Sequence, residues 1–166
     1  MKEKIKYGIY IGDYKSQIAY CQNGDVSIIK TPELKDYIPN YICFSKKGEI
    51  LVGHSAWNII RANRLKSLID NNIGQTEFYT GFNRTIGTDK LFYSSHLNKS
   101  LSSEELLAEV LKKLKSLITD EELQSVVITV PAKFTINQTD ATIRAAKLAG
   151  FKHCELLQEP IAASVA

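Results

Sequence analysis

The sequence predicts an α/β fold in which a mixed sheet is flanked by helices. Three observations predict it. The first 30 residues alternate short β-branched and aromatic runs with turn residues, which indicates antiparallel strands. A continuous apolar run at Ser125–Val130 is typical of a buried strand. Two segments with helical apolar spacing follow capping boxes that begin at Ser102 and Thr135.

The first 30 residues predict a three-stranded meander. Ile5–Ile11 is β-branched and aromatic and ends at Gly12, and Gln17–Gln22 has the pattern of a second strand. Asn23-Gly24 predicts a type I′ hairpin turn, because both central residues of that turn need a positive φ. Asp25–Lys30 then completes the meander as a third strand.

Residues 33–101 are expected to form a less regular, insertion-like subdomain. Tyr41–Phe44 and Glu49–Val52 predict a second hairpin, and His54–Lys66 predicts a helix. Asp70–Leu97 is rich in turn and aromatic residues without a clear period, so we expect irregular structure with short strands there. The residues expected on the inward face of the helix are Ala56, Ile59, Ile60 and Leu65.

Two capped helices follow this region. The first, Ser102–Ile118, has Glu105 in the position that completes its capping box, and the second begins at Thr135 with Gln138 and ends at Gly150. The residues expected to face the core are Leu106, Val110, Leu114 and Leu117 in the first helix and Ala141, Ala145, Leu148 and Ala149 in the second.

The last 45 residues also contain two predicted strands. Ser125–Val130, which ends at a proline, is expected to be fully buried, and Glu155–Gln158 is a shorter strand. Pro160 opens a final helix, Ile161–Ala166. An apolar helix without a cap is an unusual terminus, so we expect the parent chain to continue beyond residue 166.

Composition and charge weigh against several classes of function. The 21 basic and 18 acidic residues are interspersed, and the lysines Lys112, Lys113 and Lys115 alternate with leucines, which favours a solvated helix face over a nucleic-acid site. No segment approaches the ~20 apolar residues of a membrane span. Three scattered cysteines and three isolated histidines predict neither disulfides nor a metal site. We expect a cytoplasmic protein.

Four segments carry motifs in order along the chain: YGIYIGDYKSQIAYCQNG, GEILVGHSAW, VVITVPAKFTINQTDATIRAAKLAGF and LLQEPIAASVA. The first resembles the phosphate loop of the DnaK-type (heat-shock-70) chaperones, whose usual pattern is G-I-D-L-G-T-T-N-S. The others are similar to a hairpin-to-helix element and to the V-P-A…A-T…A-G and E-P segments of that family. The predicted β-β-β-α-β-α order is shared by the actin-like ATPase and ribonuclease-H-like folds.

The resemblance implies that residues 1–166 are the N-terminal lobe of a nucleotide-binding domain. The family binds ATP or ADP with Mg²⁺ between two lobes. The implied partners are the second lobe and the substrate-binding domain of the parent chain and, through the full-length protein, unfolded peptides and co-chaperones. Neither nucleic acid nor a membrane is an implied partner.

The first motif keeps the shape of the family's loop but changes its chemistry. Gly12 matches the turn glycine, which lets backbone N–H groups approach phosphate oxygens. Tyr10 replaces a strand aspartate, and a phenol with a pKa near ~10 is not a hard metal ligand at neutral pH. Asp13 and Tyr14 replace two small hydroxyl residues. Asp13 would repel a phosphate unless a bridging Mg²⁺ made it a displaced metal ligand, and both alternatives stay open.

Four further positions follow from the resemblance. Asn83 falls where the family has its catalytic lysine, and it brings no positive charge to a phosphate. Arg84 is expected to make a surface or interlobe contact, and Pro131 matches a proline that couples the nucleotide to the substrate domain. Glu159 matches the glutamate of the E-P motif and is the expected catalytic carboxylate.

Two functions fit these residues. The first is an ATP-driven chaperone, of which this lobe binds nucleotide through a degenerate phosphate loop. The second is a pseudo-ATPase, a binding or regulatory module that no longer hydrolyses ATP. The joint change at Tyr10, Asp13 and Asn83 favours lost or reduced hydrolysis. A sugar or acetate kinase shares the fold but is not supported by the V-P-A and E-P series.

Overall fold

The structure, a computed structural model, describes residues 5–45, 48–67 and 77–164. The strands are β1 (Tyr7–Ile11), β2 (Lys15–Gln22), β3 (Asp25–Ile28), β4 (Ile38–Pro39), β5 (Ile42–Phe44), β6 (Ile50–Val52), β7 (Phe78–Tyr79), β8 (Leu91–Ser94), β9 (Lys99–Ser102), β10 (Ser125–Val130) and β11 (His153–Gln158). The helices are α1 (His54–Ser67), α2 (Ser103–Lys115), α3 (Ile136–Leu148) and α4 (Glu159–Ser164), together with a short 3₁₀ helix at Phe82–Thr85.

The main sheet is mixed and has the order β11-β10-β1-β2-β3, with β4 paired to β2. The meander β1-β2-β3 is antiparallel, and Asn23 and Gly24 have the positive φ values, 54° and 95°, that the predicted turn requires. Strands β1, β10 and β11 are mutually parallel. This mixed sheet with flanking helices confirms the predicted fold class.

One face of the sheet forms the core with α2 and α3. Ile9 of β1, Ile18 of β2 and Ile128 of β10 lie in register on this face, and each is at most 1% exposed. Both predicted capping boxes are present: the side chains of Ser102 and Thr135 accept from the backbone N–H groups of the third helical residues. The two capped helices therefore begin where the sequence places them.

Strand β10 is not fully buried, so that expectation is wrong. Val126, Ile128 and Val130 are buried, but the residues that alternate with them are half-buried. Successive side chains of a strand point to opposite faces, and only one face of this sheet carries the core. The second face has tyrosine at position 10, whose side chain is 39% exposed.

Three predicted core positions lie on the surface instead. Leu148 of α3 is 53% exposed, while Ile59 and Leu65 of α1 are 37% and 56% exposed. Ala56 and Ile60 are buried as expected. In the described part of the chain the main contacts of helix α1 are with the short strands β4, β5 and β6, so a narrow stripe of its surface is covered. Leu148 lies in the last turn of α3, where only the neighbouring Ala145, Ala146 and Ala149 reach the core.

The strands between residues 42 and 102 build two smaller sheets, β6-β5-β7 and β8-β9. The short strands predicted between Asp70 and Leu97 are present within 77–97, and the rest of that segment lies outside the described residues. The last predicted helix, Ile161–Ala166, corresponds to α4 (Glu159–Ser164), and its predicted last two positions lie outside the described residues. No helix in the described part of the chain is long and apolar enough to cross a bilayer.

Candidate functional site

The candidate site lies at one edge of the main sheet. Gly12, Pro131 and Glu159 each directly follow a parallel strand, β1, β10 and β11 respectively. The carboxyl ends of parallel strands meet at the same edge, where ligands of open α/β sheets bind. The topology therefore brings these three predicted residues, which are 28 to 147 positions apart in the sequence, to the same end of the sheet.

The loop between β1 and β2 is held by a set of neutral hydrogen bonds. The side-chain amides of Asn40 and Asn83 donate to the carbonyl oxygen of Gly12 at 2.6 and 2.8 Å. Asn40 is fully buried, its backbone N–H donates to the Tyr14 carbonyl at 2.8 Å, and its Oδ1 accepts from the Ser16 hydroxyl at 2.8 Å. These bonds fix the loop from two directions. No local sequence motif marks Asn40, so the sequence did not predict its role in the loop.

Gly12 has little room for a side chain. A Cβ atom there would lie 2.9 Å from Tyr10 Oη and 3.0 Å from the Lys15 carbonyl oxygen. The N–H of Gly12 donates to that same carbonyl at 2.9 Å, which closes the hairpin. In this chain the missing side chain of Gly12 makes room for the Tyr10 phenol and for the close turn.

Arg84 is bound to the loop by an ion pair. Its Nε and Nη2 atoms each lie 2.9 Å from Asp13 Oδ2, and Nη2 donates to Tyr14 Oη at 2.8 Å. The guanidinium also lies 5.3 Å from the centre of the Tyr14 ring. Hydrogen bonds to Asp13 and Tyr14 raise the pKa of Arg84 further above its ordinary value. The negative charge on Asp13 is thus matched by a cation 71 positions away, a pairing that no sequence motif indicated.

Asn83 supports the loop and adds no charge to it. It lies in the 3₁₀ helix that follows Gly81, a residue with φ 71°. Its Nδ2 bonds Gly12, while its Oδ1 is buried with no hydrogen-bond partner among the described residues. A buried acceptor without a partner costs about 1–3 kcal/mol.

A cavity of about 280 Å³ opens beside the loop and gathers four of the predicted residues: Asp13, Asn83, Arg84 and Pro131. The other residues that line it are Ile11, Ile86, Leu107, Thr129, Val130, Phe134, Gln138 and Thr142. Gly12, Tyr14 and Glu159 do not line it. Phe134 and Gln138 were not predicted as site residues, although both belong to the VPAKFTINQ motif, which is the signal in the sequence that marks them.

Glu159 begins α4 and is half-buried. It makes no hydrogen bond or ion pair with the part of the chain that the structure describes. Its carboxylate stands in the first turn of the helix, where the dipole stabilises negative charge. The position at the end of β11 keeps it on the same edge of the sheet as the loop.

The described residues do not form a preassembled magnesium site from protein side chains alone. Magnesium prefers hard oxygen ligands in octahedral geometry. Tyr10 stands where a strand carboxylate would be needed, and Asp13 Oδ2 is bound to Arg84. In the described ranges no three histidine, cysteine, aspartate or glutamate side chains cluster closely enough to hold a metal ion. Cys21, Cys43 and Cys154 are unbridged, and burial raises the pKa of Cys154 to about 11, so this thiol is neutral at pH 7.

Comparison of the sequence with known proteins supports the assignment of this lobe. The model of the family described as "Hsp70 protein" matches residues 6–166. The chain is 33% identical to "Chaperone protein dnaK" of Trieres chinensis over 96% of its length, and 30% identical to "Chaperone protein DnaK" of Mycoplasmopsis agalactiae over its whole length. It is also 33% identical to "Chaperone protein dnaK" of Phaeodactylum tricornutum.

The mixed sheet with its loop at the carboxyl edge defines the N-terminal lobe of an actin-like ATPase fold. The chain belongs to the Hsp70 family. It covers 28% of the T. chinensis relative and 26% of the M. agalactiae relative, so it spans less than a third of their length.

Proposed function

We propose that this chain is the nucleotide-binding lobe of a DnaK-like chaperone and that the loop Gly12–Tyr14 takes the phosphate end of ATP or ADP. The proposal rests on the position of the loop and on its free backbone N–H groups. The loop lies at the carboxyl edge of the parallel strands, and the backbone N–H groups of Asp13 and Tyr14 have no acceptor among the described residues. Successive free N–H groups in a turn form a concavity that binds anions.

The other predicted residues take roles around this loop. Asn83 holds it through Gly12, and Glu159 is proposed as the carboxylate nearest the reacting water. Pro131 and Arg84 are proposed to transmit the state of the site to the rest of the parent protein. The partners there are a second lobe, a substrate-binding domain and, through them, unfolded peptides and co-chaperones.

We propose further that residues 33–101 form a subdomain inserted into the lobe, that the parent chain continues beyond residue 166 and that the protein is cytoplasmic. The two smaller sheets between residues 42 and 102 support the first of these statements. The share of the relatives that the chain covers supports the second.

A second candidate is a pseudo-ATPase that holds nucleotide without hydrolysing it. Its support is the chemistry of three positions. Tyr10 offers no carboxylate, the carboxylate of Asp13 is engaged by Arg84, and Asn83 is a neutral amide. Transfer of a phosphoryl group depends on positioning and on cations that offset developing charge. In this site the Arg84 cation is already paired with Asp13. This pairing favours binding of a nucleotide without its hydrolysis.

Titration of the ¹⁵N-labelled chain with ADP tests the binding proposal. We expect the amide signals of Asp13 and Tyr14 to shift in a saturable way, because their N–H groups would acquire phosphate acceptors. A Gly12→Ala variant should weaken the response, since a Cβ there would clash with Tyr10 Oη at 2.9 Å. Gly8→Ala, on β1 where φ is not positive and a Cβ has nothing within 4 Å, serves as the control. Saturable shifts confined to residues outside the loop would contradict the proposal.

A further inference from the structure

The cavity beside the loop has an apolar wall that the nucleotide proposal does not use. Its volume is about 280 Å³, whereas a cavity of ~150 Å³ with aliphatic and aromatic walls is large enough to hold benzene. The apolar side chains that line it come from β1, the segment after the 3₁₀ helix, α2, and the end of β10 with the turn that follows it. They are Ile11, Ile86, Leu107, Val130, Pro131 and Phe134.

The charged side chains of the cavity lie at its mouth, and their opposite charges cancel. Asp13 and Arg84 line the cavity with side chains that are 51% and 55% exposed. Both contacts between Arg84 and Asp13 end at Asp13 Oδ2. The second carboxylate oxygen, Oδ1, has no partner among the described residues. The mouth therefore has no net charge and presents one strong acceptor to an incoming group.

The polar groups deeper in the cavity are largely engaged within the protein. Thr142 is 2% exposed, and its hydroxyl donates to the Gln138 carbonyl of its own helix at 2.8 Å. Gln138 Oε1 accepts from the N-terminal capping residue Thr135. Asn83 Nδ2 donates to Gly12, while its buried Oδ1 is an acceptor without a partner among the described residues. A highly charged ligand would consequently find no free cation on these walls.

We infer that this cavity binds a compact, uncharged aromatic molecule with a single O–H or N–H donor. The ring would lie against the apolar wall, and the donor would bond Asp13 Oδ1. Ligand sites of this kind combine a largely apolar concave surface with a few convergent polar groups. The inference goes beyond nucleotide binding and does not depend on it.

Three probes with the same ring test the inference on the unmodified chain: phenol, anisole and phenyl phosphate. Methyl ¹³C spectra report on Ile11, Ile86 and Leu107 in the cavity. We expect phenol to shift these methyl signals saturably and to bind at least about fivefold tighter than anisole, which lacks the donor. Phenyl phosphate is expected to shift these methyl signals less than phenol does, since the walls of the cavity have no free cation, and any binding of its phosphate at the loop is read separately from the amide signals of Asp13 and Tyr14.

Two matched variants on α3 locate the ligand. Thr142→Met extends a longer side chain at the cavity wall and should weaken phenol binding at least about tenfold, because it fills the space the ring needs. Thr139→Met is the control, since Thr139 also bonds back to its own helix, at 3.0 Å from the Thr135 carbonyl, but does not line the cavity. If Thr142→Met does not fold, the three probes on the unmodified chain decide the question.

Several results would overturn the inference. They are an absence of saturable shifts in the cavity methyls, equal affinity for phenol and anisole, and tighter binding of phenyl phosphate reported by those methyls without shifts of the Asp13 and Tyr14 amides. Phenol shifts confined to Ile143, which lines a separate cavity of about 540 Å³ with Lys147 and Phe151, would overturn it as well. Nucleotide binding is measured separately by the ADP titration, so the two proposals fail independently.

Discussion

The adjacent residues Asn83 and Arg84 bind the loop in two different ways. The amide of Asn83 bonds the Gly12 carbonyl from inside, and the guanidinium of Arg84 bonds Asp13 and Tyr14 from the solvent side. The first bond is neutral and partly buried, and the second is charged and exposed. At the residue scale, the loop is thus held in place by the protein itself.

The ion pair between Asp13 and Arg84 should contribute little stability on its own. Exposed pairs contribute about 0–1 kcal/mol, and both side chains are half exposed. A double-mutant cycle with Asp13→Asn and Arg84→Met, measured by urea unfolding, is expected to give a coupling below about 1 kcal/mol that decreases in 1 M salt. A coupling above about 2 kcal/mol that salt does not change would contradict an exposed pair.

Charged residues of the family type at positions 10 and 83 should increase the rate of ATP hydrolysis. In the full-length parent protein, Tyr10→Asp with Asn83→Lys returns a carboxylate and a cation to the site, and we expect MgATP-dependent phosphate release to rise about tenfold or more. Tyr10→Asp with Asn58→Lys is the matched control, because Asn58 is exposed on α1 and the net charge is the same. If both double variants stay as slow as the unmodified protein, the loss of activity lies elsewhere.

At the element scale, local signals predicted most boundaries and none of the contacts between distant elements. The capping boxes at Ser102 and Thr135 and the turn at Asn23-Gly24 depend on neighbouring residues only, so the sequence reveals them. The exposure of Leu148 depends on which neighbours cover it, and periodicity carries no such information.

Gly87 packs closely against the first turn of α3. Its φ is +73°, and a Cβ there would lie 2.8 Å from the backbone of Asn137 and Gln138. Gly87→Ala is expected to cost at least about 2 kcal/mol more than Gly81→Ala, because overpacking adds to the strain of the left-handed backbone. Gly81 has a similar φ of +71° with nothing within 4 Å, so it isolates the backbone effect. Urea unfolding measures both, and equal losses would contradict the close approach.

Glu77 links β7 to the turn between β8 and β9. Burial alone would raise the pKa of Glu77, but hydrogen bonds from the Ser94 hydroxyl and from the N–H groups of Ser95 and His96 outweigh it and hold the pKa below its ordinary value. A lowered carboxyl pKa in the folded state stabilises the protein above the unfolded value, near ~4.3, and this contribution is lost as the pH falls through the folded pKa.

Glu77→Gln should therefore destabilise the protein by about 1–2 kcal/mol at pH 7 and by progressively less below about pH 4.3. Urea unfolding across pH 3 to 7 measures the difference from the unmodified chain. Glu155→Gln, at an exposed position of β11, is the control. A difference that is independent of pH would show that the Glu77 carboxylate is not the group responsible.

At the scale of the whole molecule, the fold follows from the sequence more directly than the site does. The V-P-A and E-P segments predicted the lobe, and the observed sheet topology places Pro131 and Glu159 at one edge of the sheet. The pairing of Asp13 with Arg84, 71 positions apart, arises only when the strands and the 3₁₀ helix come together. The apolar cavity was not predicted for the same reason, since its walls come from five separate segments.

The central claim is that this loop keeps the shape of a phosphate site while its groups no longer support hydrolysis. Phosphate release by the full-length parent protein at a MgATP concentration shown by calorimetry to saturate it tests this claim most directly. We expect nucleotide to bind and phosphate to appear no faster than in the protein-free blank. Steady release that disappears in a Glu159→Ala variant would contradict the claim and show that the site is an active ATPase.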